Sequence, residues 1–174
     1  QPESSAASDV YKRQSMGLSI PYTDYNGKFL FENNTEESKN SNLLLIDFYN
    51  HLLILQNKNE LPCNLDLNQL KSDLDNGLHF DSSIPQGFGI GSSGAIVAAI
   101  YDRYCVEKKI DAESQISNEN ILELKNTFSK LESFYHGTSS GLDPLICYLK
   151  LPVLIKSKNE IGTVGIPASA DGNG

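Results

Sequence analysis

The chain has 174 residues, 39% of them hydrophobic and 21% charged, enough for one domain with a sizeable core and ordinary for a globular protein. A net charge of −8 and a pI near 4.8 argue against a broad surface for nucleic acid or anionic membrane. No apolar run approaches the ~20 residues that span a bilayer, so the expected compartment is the cytoplasm.

Residues 1–14 (QPESSAASDVYKRQ) have no apolar periodicity and differ in composition from the rest of the chain, so they read as a non-native or disordered tail. Residues 17–22 and 27–31 read as two strands of a hairpin, with Asn26-Gly27 as the turn cue. Residues 43–55 are apolar almost all round and predict a buried helix. A second, amphipathic helix is expected over 66–75, with Leu67, Leu70 and Leu74 on one face and Gly77 ending it. Residues 78–83 alternate as a strand, and 93–106 predict a helix rich in small residues. A further helix spans 118–134, capped by Ser117 or Asn118, with Ile121, Leu124, Phe128, Leu131 and Tyr135 as its apolar stripe. Residues 142–149 form a short helix, and 152–156 with 161–164 a last hairpin. Helices and hairpins are mixed without strict alternation, which predicts an α+β fold. Cys63, Cys105 and Cys147 are widely spaced and match no metal-ligand pattern.

The most informative stretch is Pro85-Gln-Gly-Phe-Gly-Ile-Gly-Ser-Ser-Gly-Ala95, which joins the strand to the helix. Glycines let backbone N–H groups approach a ligand, and the first N–H groups of the following helix lack partners inside it. With the positive end of the helix dipole, that arrangement binds phosphate. A Walker P-loop needs lysine after the last glycine, but Gly91 is followed by Ser92 and no lysine comes before Lys108. Gly89-x-Gly91-x-x-Gly94 fits the dinucleotide pattern, yet the acidic residue required further on would fall near Asp111, with no strand behind it.

With its serines the loop resembles the second signature of the GHMP kinases, Pro-x-x-x-Gly-Leu-Gly-Ser-Ser-Ala, with Ile90 for leucine and Gly94 for alanine. Glu132-Ser-Phe-Tyr-His-Gly-Thr-Ser-Ser-Gly-Leu-Asp143 is similar to the segment Glu-x-x-x-His-Gly-x-Pro-Ser-Gly-x-Asp of the mevalonate kinase branch, Ser139 replacing the proline. The resemblance spans about residues 15–174. It implies a partial GHMP N-terminal domain of the ribosomal protein S5 domain 2-like type, an interior piece without the first lysine-bearing motif and the C-terminal domain. The implied activity is transfer of the ATP γ-phosphate to a small alcohol, mevalonate first. A phosphomevalonate kinase, a sugar kinase of the same family and a non-catalytic nucleotide-binding module are the rivals. Expected partners are ATP and that alcohol, with neither nucleic acid nor membrane and with a homodimer allowed.

The resemblance assigns ATP binding to Gly87, Phe88, Gly89, Ile90, Gly91, Ser92 and Ser93, and Mg²⁺ to Ser93 and Glu132. Mg²⁺ is a hard cation held by one or two protein oxygens plus phosphate oxygens and water. Glu132 sits at the edge of its helix's apolar stripe, where a carboxylate loses hydration; the other reading is a surface glutamate bent outward. Asp143 precedes Pro144, a setting that suits a helix N-cap. The resemblance adds that it is the catalytic base for the acceptor hydroxyl. His136 is open to a catalytic role or to a structural hydrogen bond holding the loop, and Ser82 is placed to reach the nucleotide.

Overall fold

The computed structural model describes residues 17–19, 27–32, 34–82, 92–110, 116–151, 153–157 and 160–163. The first helix, α1, runs Glu36–Asn57 and starts well before residue 43. Its opening turn is polar and is set by a reciprocal cap: Thr35 Oγ1 accepts from the Ser38 N–H at 3.1 Å, and Ser38 Oγ from the Thr35 N–H at 3.0 Å. Only one face is buried, through Ser38, Ser41, Asn42, Leu45, Phe48 and Leu52. Leu43, Leu44 and Ile54 are exposed, so the expectation of a helix buried all round fails.

Among the described residues, the two N-terminal strands are not paired with each other, and the rest of the expected first strand and its turn (20–26) lies outside them. β1 (Gly17–Ser19) pairs antiparallel with β4 (Val153–Ser157), which pairs with β5 (Glu160–Thr163) as predicted for the last hairpin. β2 (Gly27–Leu30) pairs instead with β3 (His79–Ser82), placing Phe29 opposite Phe80 with their rings edge to face at 5.5 Å. Gly27 serves this pairing: a Cβ there would lie 2.1 Å from Phe80 Cζ, so any larger residue would push the ring aside. Side chains of α1 close the free edge of β3. Ser41 Oγ donates to the Phe80 carbonyl and accepts from its N–H, both at 2.9 Å, and Asn42 Nδ2 donates to the Leu78 carbonyl at 2.6 Å.

Helix α2 (Leu67–Asp75) buries Leu67, Leu70 and Leu74, with Asp66 Oδ1 capping the Gln69 N–H at 2.9 Å. Helix α3 (Ser92–Tyr104) stops two residues short of the sequence expectation because Cys105 bridges Leu65 and the Val106 N–H donates to the Asn64 carbonyl. Helix α4 (Asn118–His136) is capped by Ser117, whose Oγ accepts from the Asn120 N–H at 3.1 Å. Helix α5 covers Leu142–Leu149. Together with the two small antiparallel sheets these make an α+β fold. The centre of the core is the crossing of α3, α4 and α5, where the Tyr101 ring meets Phe128 edge-on at 5.1 Å and Tyr148 at 5.2 Å. Leu124, Phe128, Leu131 and Leu145 are fully buried there, each contributing about 1.5–3 kcal/mol. That crossing holds the helix ends carrying Ser93, Glu132 and Asp143.

A separate ionic clip joins α2 to α3. Asp73 Oδ2 accepts from Tyr104 Oη at 2.7 Å and from Arg103 Nη2 at 3.0 Å, and Oδ1 accepts from Gln69 Nε2 at 2.8 Å. Burial opposes ionisation of Asp73, but the bonds from Tyr104, Gln69 and Arg103, with the Arg103 charge, hold its carboxyl below the usual range. In the sequence Asp73 reads only as a helical residue.

Candidate active site

Glu132 lies one turn before the end of α4 and is only 3% exposed, which removes the surface reading. Ser93, in the first turn of α3, donates its hydroxyl to Glu132 Oε1 at 3.1 Å. The same Ser93 oxygen lies 3.0 Å from His136 Nε2, the last residue of α4. Ser139, in the loop between α4 and α5, donates to Glu132 Oε2 and accepts the Gly141 N–H at 3.0 Å. His136 therefore bonds the Ser93 side chain, while the loop is held by Ser139 and by Ser140, whose Oγ accepts the Leu142 N–H. Among the described residues, no lysine, arginine or histidine forms an ion pair with Glu132.

Asp143 does not cap α5. The cap is Gly141, at φ +73° and without a side-chain hydrogen bond, and Asp143 is an exposed residue of the first helical turn. The chain enters α5 two residues earlier than the proline rule suggests, because proline is tolerated anywhere in the first turn, where its missing N–H has no helical partner. Gly141 fits only as glycine: a Cβ would fall 2.1 Å from the Lys125 carbonyl oxygen and 2.6 Å from the Ser129 nitrogen of α4. On the other side, a Cβ on Gly94 of α3 would stand 2.9 Å from Asp143 Cβ and 3.0 Å from Pro144 N. The start of α5 is thus wedged between two helices by contacts that involve backbone on both sides. The result sets Asp143 against the N-terminal turn of α3, next to Ser93.

Two helix N-termini converge here, and each favours negative charge. The thiol of Cys147, one turn beyond Asp143, is pushed up to about 11 by burial and by the charges of Asp143 and Glu132. The Tyr135 hydroxyl is raised by burial and by Glu132. Both carboxylates thus act on neighbouring side chains. A hydroxyl and a carboxylate are the oxygen donors Mg²⁺ takes, and the 3.1 Å between Ser93 Oγ and Glu132 Oε1 is compatible with the about 2.9 Å between neighbouring ligands of an octahedral ion at 2.0–2.1 Å. Among the described residues there is no cluster of three or more His, Cys, Asp or Glu able to hold a metal alone. Two protein oxygens plus phosphate oxygens and water are the usual supply for this ion.

Gly87, Phe88, Gly89, Ile90 and Gly91 lie outside the described residues, as does the side chain of Ser92. The described flanks are β3, ending at Ser82, and α3, beginning at Ser92, so the loop does connect a strand to a helix N-terminus. Ser93, Glu132 and Asp143 are brought together, whereas the side chain of Ser82 is outside the described part. The bonding partners Ser139 and His136 are not assigned from sequence as ligand holders. Among the described residues there is an open groove away from the site and another along its edge. One of about 400 Å³, lined by Tyr49, Leu53, Leu65 and Val106, shares no residue with the site. One of about 410 Å³ borders Ser139, Ser140 and Leu142, with Lys125 on its wall. Among the described residues no helix is long and apolar enough to cross a membrane.

The family model "GHMP kinases N terminal domain" matches residues 64–150, half of the chain, and includes the glycine loop, Ser93, Glu132 and Asp143. The chain belongs to the GHMP kinase family, a family of small-molecule kinases. Members are phosphotransferases that generally use ATP, typically with Mg²⁺. No curated protein and no solved structure matches the chain.

Proposed function

We propose that this chain carries the nucleotide-binding and catalytic residues of a kinase that moves the γ-phosphate of ATP to a small alcohol, with mevalonate as the acceptor. The supporting observation is the buried Glu132–Ser93 pair at the N-terminus of α3, with Asp143 packed against the same turn. The acceptor is argued from the Glu132 to Asp143 segment, which is similar to the mevalonate kinase branch except at Ser139. In this reading the domain is S5-like, and the lysine motif and C-terminal domain belong to the full-length protein, placed in the cytoplasm.

Phosphoryl transfer needs positioning and charge neutralisation more than covalent chemistry. The loop from Gly87 to Gly91 and the first N–H groups of α3 bind the phosphates. Ser93 and Glu132 would hold Mg²⁺, which when bound would neutralise charge on the phosphate oxygens. Asp143 takes the proton of the acceptor hydroxyl at its carboxylate as that oxygen attacks. The test is turnover of radiolabelled ATP by the full-length protein with mevalonate, phosphomevalonate and a panel of sugars. Labelled phosphomevalonate as the main product supports the reading; a sugar phosphate moves the acceptor, and no transfer to any alcohol removes the kinase.

A further inference from the structure

As a carboxylate, Glu132 can only accept hydrogen bonds, and this fixes the direction of every bond around it. Ser93 lies within reach of both Glu132 Oε1 and His136 Nε2, at 3.1 and 3.0 Å, but a hydroxyl has a single proton. That proton goes to the carboxylate, so Nε2 of His136 must carry a hydrogen and donate to Ser93. On the other oxygen, Ser139 gives its proton to Oε2 and its own oxygen receives the Gly141 N–H. Both chains of donors therefore run one way, into Glu132. Bonds aligned in this manner polarise one another and strengthen. They also leave Ser93 a free lone pair for a cation.

Ser139 stands where the related segment of the mevalonate kinase branch has proline, a residue with no side-chain donor. A proline at this position could not make the bond to Oε2 that Ser139 makes here. We propose that Ser139 and His136 are positioning residues that fix the Glu132–Ser93 pair, Ser139 through the far carboxylate oxygen and His136 through the Ser93 hydroxyl. The purpose of the pair rests on the phosphotransfer reading; the bond directions do not.

Two measurements on the full-length protein test this. In nitrogen-15 spectra of the histidine rings at pH 8, the signal lost in His136→Ala should show a hydrogen on Nε2, and a bare Nε2 overturns the His136 chain. In assays with ATP and the accepted alcohol, Ser139→Ala should raise the Mg²⁺ concentration giving half the maximal rate by about tenfold or more. Ser139→Thr, which keeps the hydroxyl, should return it to within about threefold of wild type, a difference no larger than one hydrogen bond. An unchanged Mg²⁺ requirement in Ser139→Ala, or a Thr variant as impaired as the Ala one, overturns the role of Ser139. Should Ser139→Ala not fold, the Thr variant still decides, because a Mg²⁺ requirement raised tenfold in it contradicts the proposal. Wild-type protein without any ATP turnover would refute the phosphotransfer reading, while the ring spectrum would still judge the donor chain.

Discussion

Replacing Gly94 by alanine, the residue of the family pattern, should harm this protein although alanine is the better helix former. The added Cβ would lie 2.9 Å from Asp143 Cβ and 3.0 Å from both Asp143 C and Pro144 N. Ordinary carbon contacts begin near 3.5 Å, so the start of α5 must retreat by about 0.5 Å. None of the atoms met can be moved by a rotamer change alone, since two are backbone and the third is a Cβ. Overpacking of this sort costs about 1–3 kcal/mol, against at most about 1 kcal/mol gained by replacing glycine in a helix. The net loss of about 0–2 kcal/mol should lower Tm by up to about 8 °C, at about 2–4 °C per kcal/mol for a chain of this size. The displaced group carries Asp143, and a misplacement of 1 Å can cost about 10²-fold in rate, so half that distance predicts about tenfold in kcat. ATP KM should move less, because the atoms met by the added Cβ all belong to the start of α5. The assay is thermal unfolding together with kcat and ATP KM of the full-length Gly94→Ala protein. A variant as stable as wild type with unchanged kcat would refute the close-approach argument.

Three further outcomes are expected from the same geometry. Asp143→Asn should lower turnover by about 10²–10⁴-fold with ATP affinity nearly unchanged, and Tm should hold because Gly141, not Asp143, caps α5; a near wild-type rate would remove Asp143 as the base. Asp73→Asn should destabilise by about 1–3 kcal/mol at neutral pH by weakening the clip to Arg103 and Tyr104. The folded carboxyl of Asp73 is depressed below its ordinary value of 3.8, so its contribution is present above that pH and is lost as pH falls through the lower folded value. Urea unfolding at stepped pH should therefore show the gap between Asp73→Asn and wild type closing only below about pH 4. Cys63 and Cys147, pushed up to about 12 and about 11 by burial first, should react slowly with a thiol reagent at pH 8 in the folded protein. Labelling of either at the rate of a free thiol would contradict their surroundings.

The helices with a regular apolar stripe could be read from the chain, because local periodicity reports one buried face. α2 was expected from Asp66, which proves to be its cap rather than its first residue, and of the two cap candidates for α4 it is Ser117 that caps. The start of α1 could not be read that way, since its first buried residues are Ser38, Ser41 and Asn42 and carry no hydrophobic signal. The usable cue was Thr35 with Ser38 three residues on, a weaker version of the capping box. Strand partners were the poorest inference. Asn26-Gly27 reads as a hairpin turn, and Asn26 lies outside the described residues; what is described is Gly27 opening β2, with the Phe80 ring over it from a strand far away in sequence. At the site, Glu132 and Asp143 were found because their spacing matches a family segment. Ser139 and His136 were not placed, because what they touch depends on how the loop returns from α4 to α5.

The cap expected at Asp143 and the wedge found around it lead to different views of the same residue. A capping aspartate would have its oxygens turned back on the N–H groups of its own helix, and a base held like that would have to break those bonds before accepting a proton. With Gly141 at the cap, the Asp143 side chain makes no such bond and stays exposed. Its position is set instead by glycine contacts on either side, at Gly141 against α4 and Gly94 against α3. Glu132 is treated in the opposite way, buried and bonded at both oxygens. A metal ligand benefits from that restraint, because its task is to keep a fixed geometry. A base needs an open carboxylate near the acceptor. The two acids therefore differ in environment as their proposed roles require, and the difference comes from the loop between α4 and α5. That loop supplies a hydroxyl to Glu132 and a bare glycine cap to the helix of Asp143.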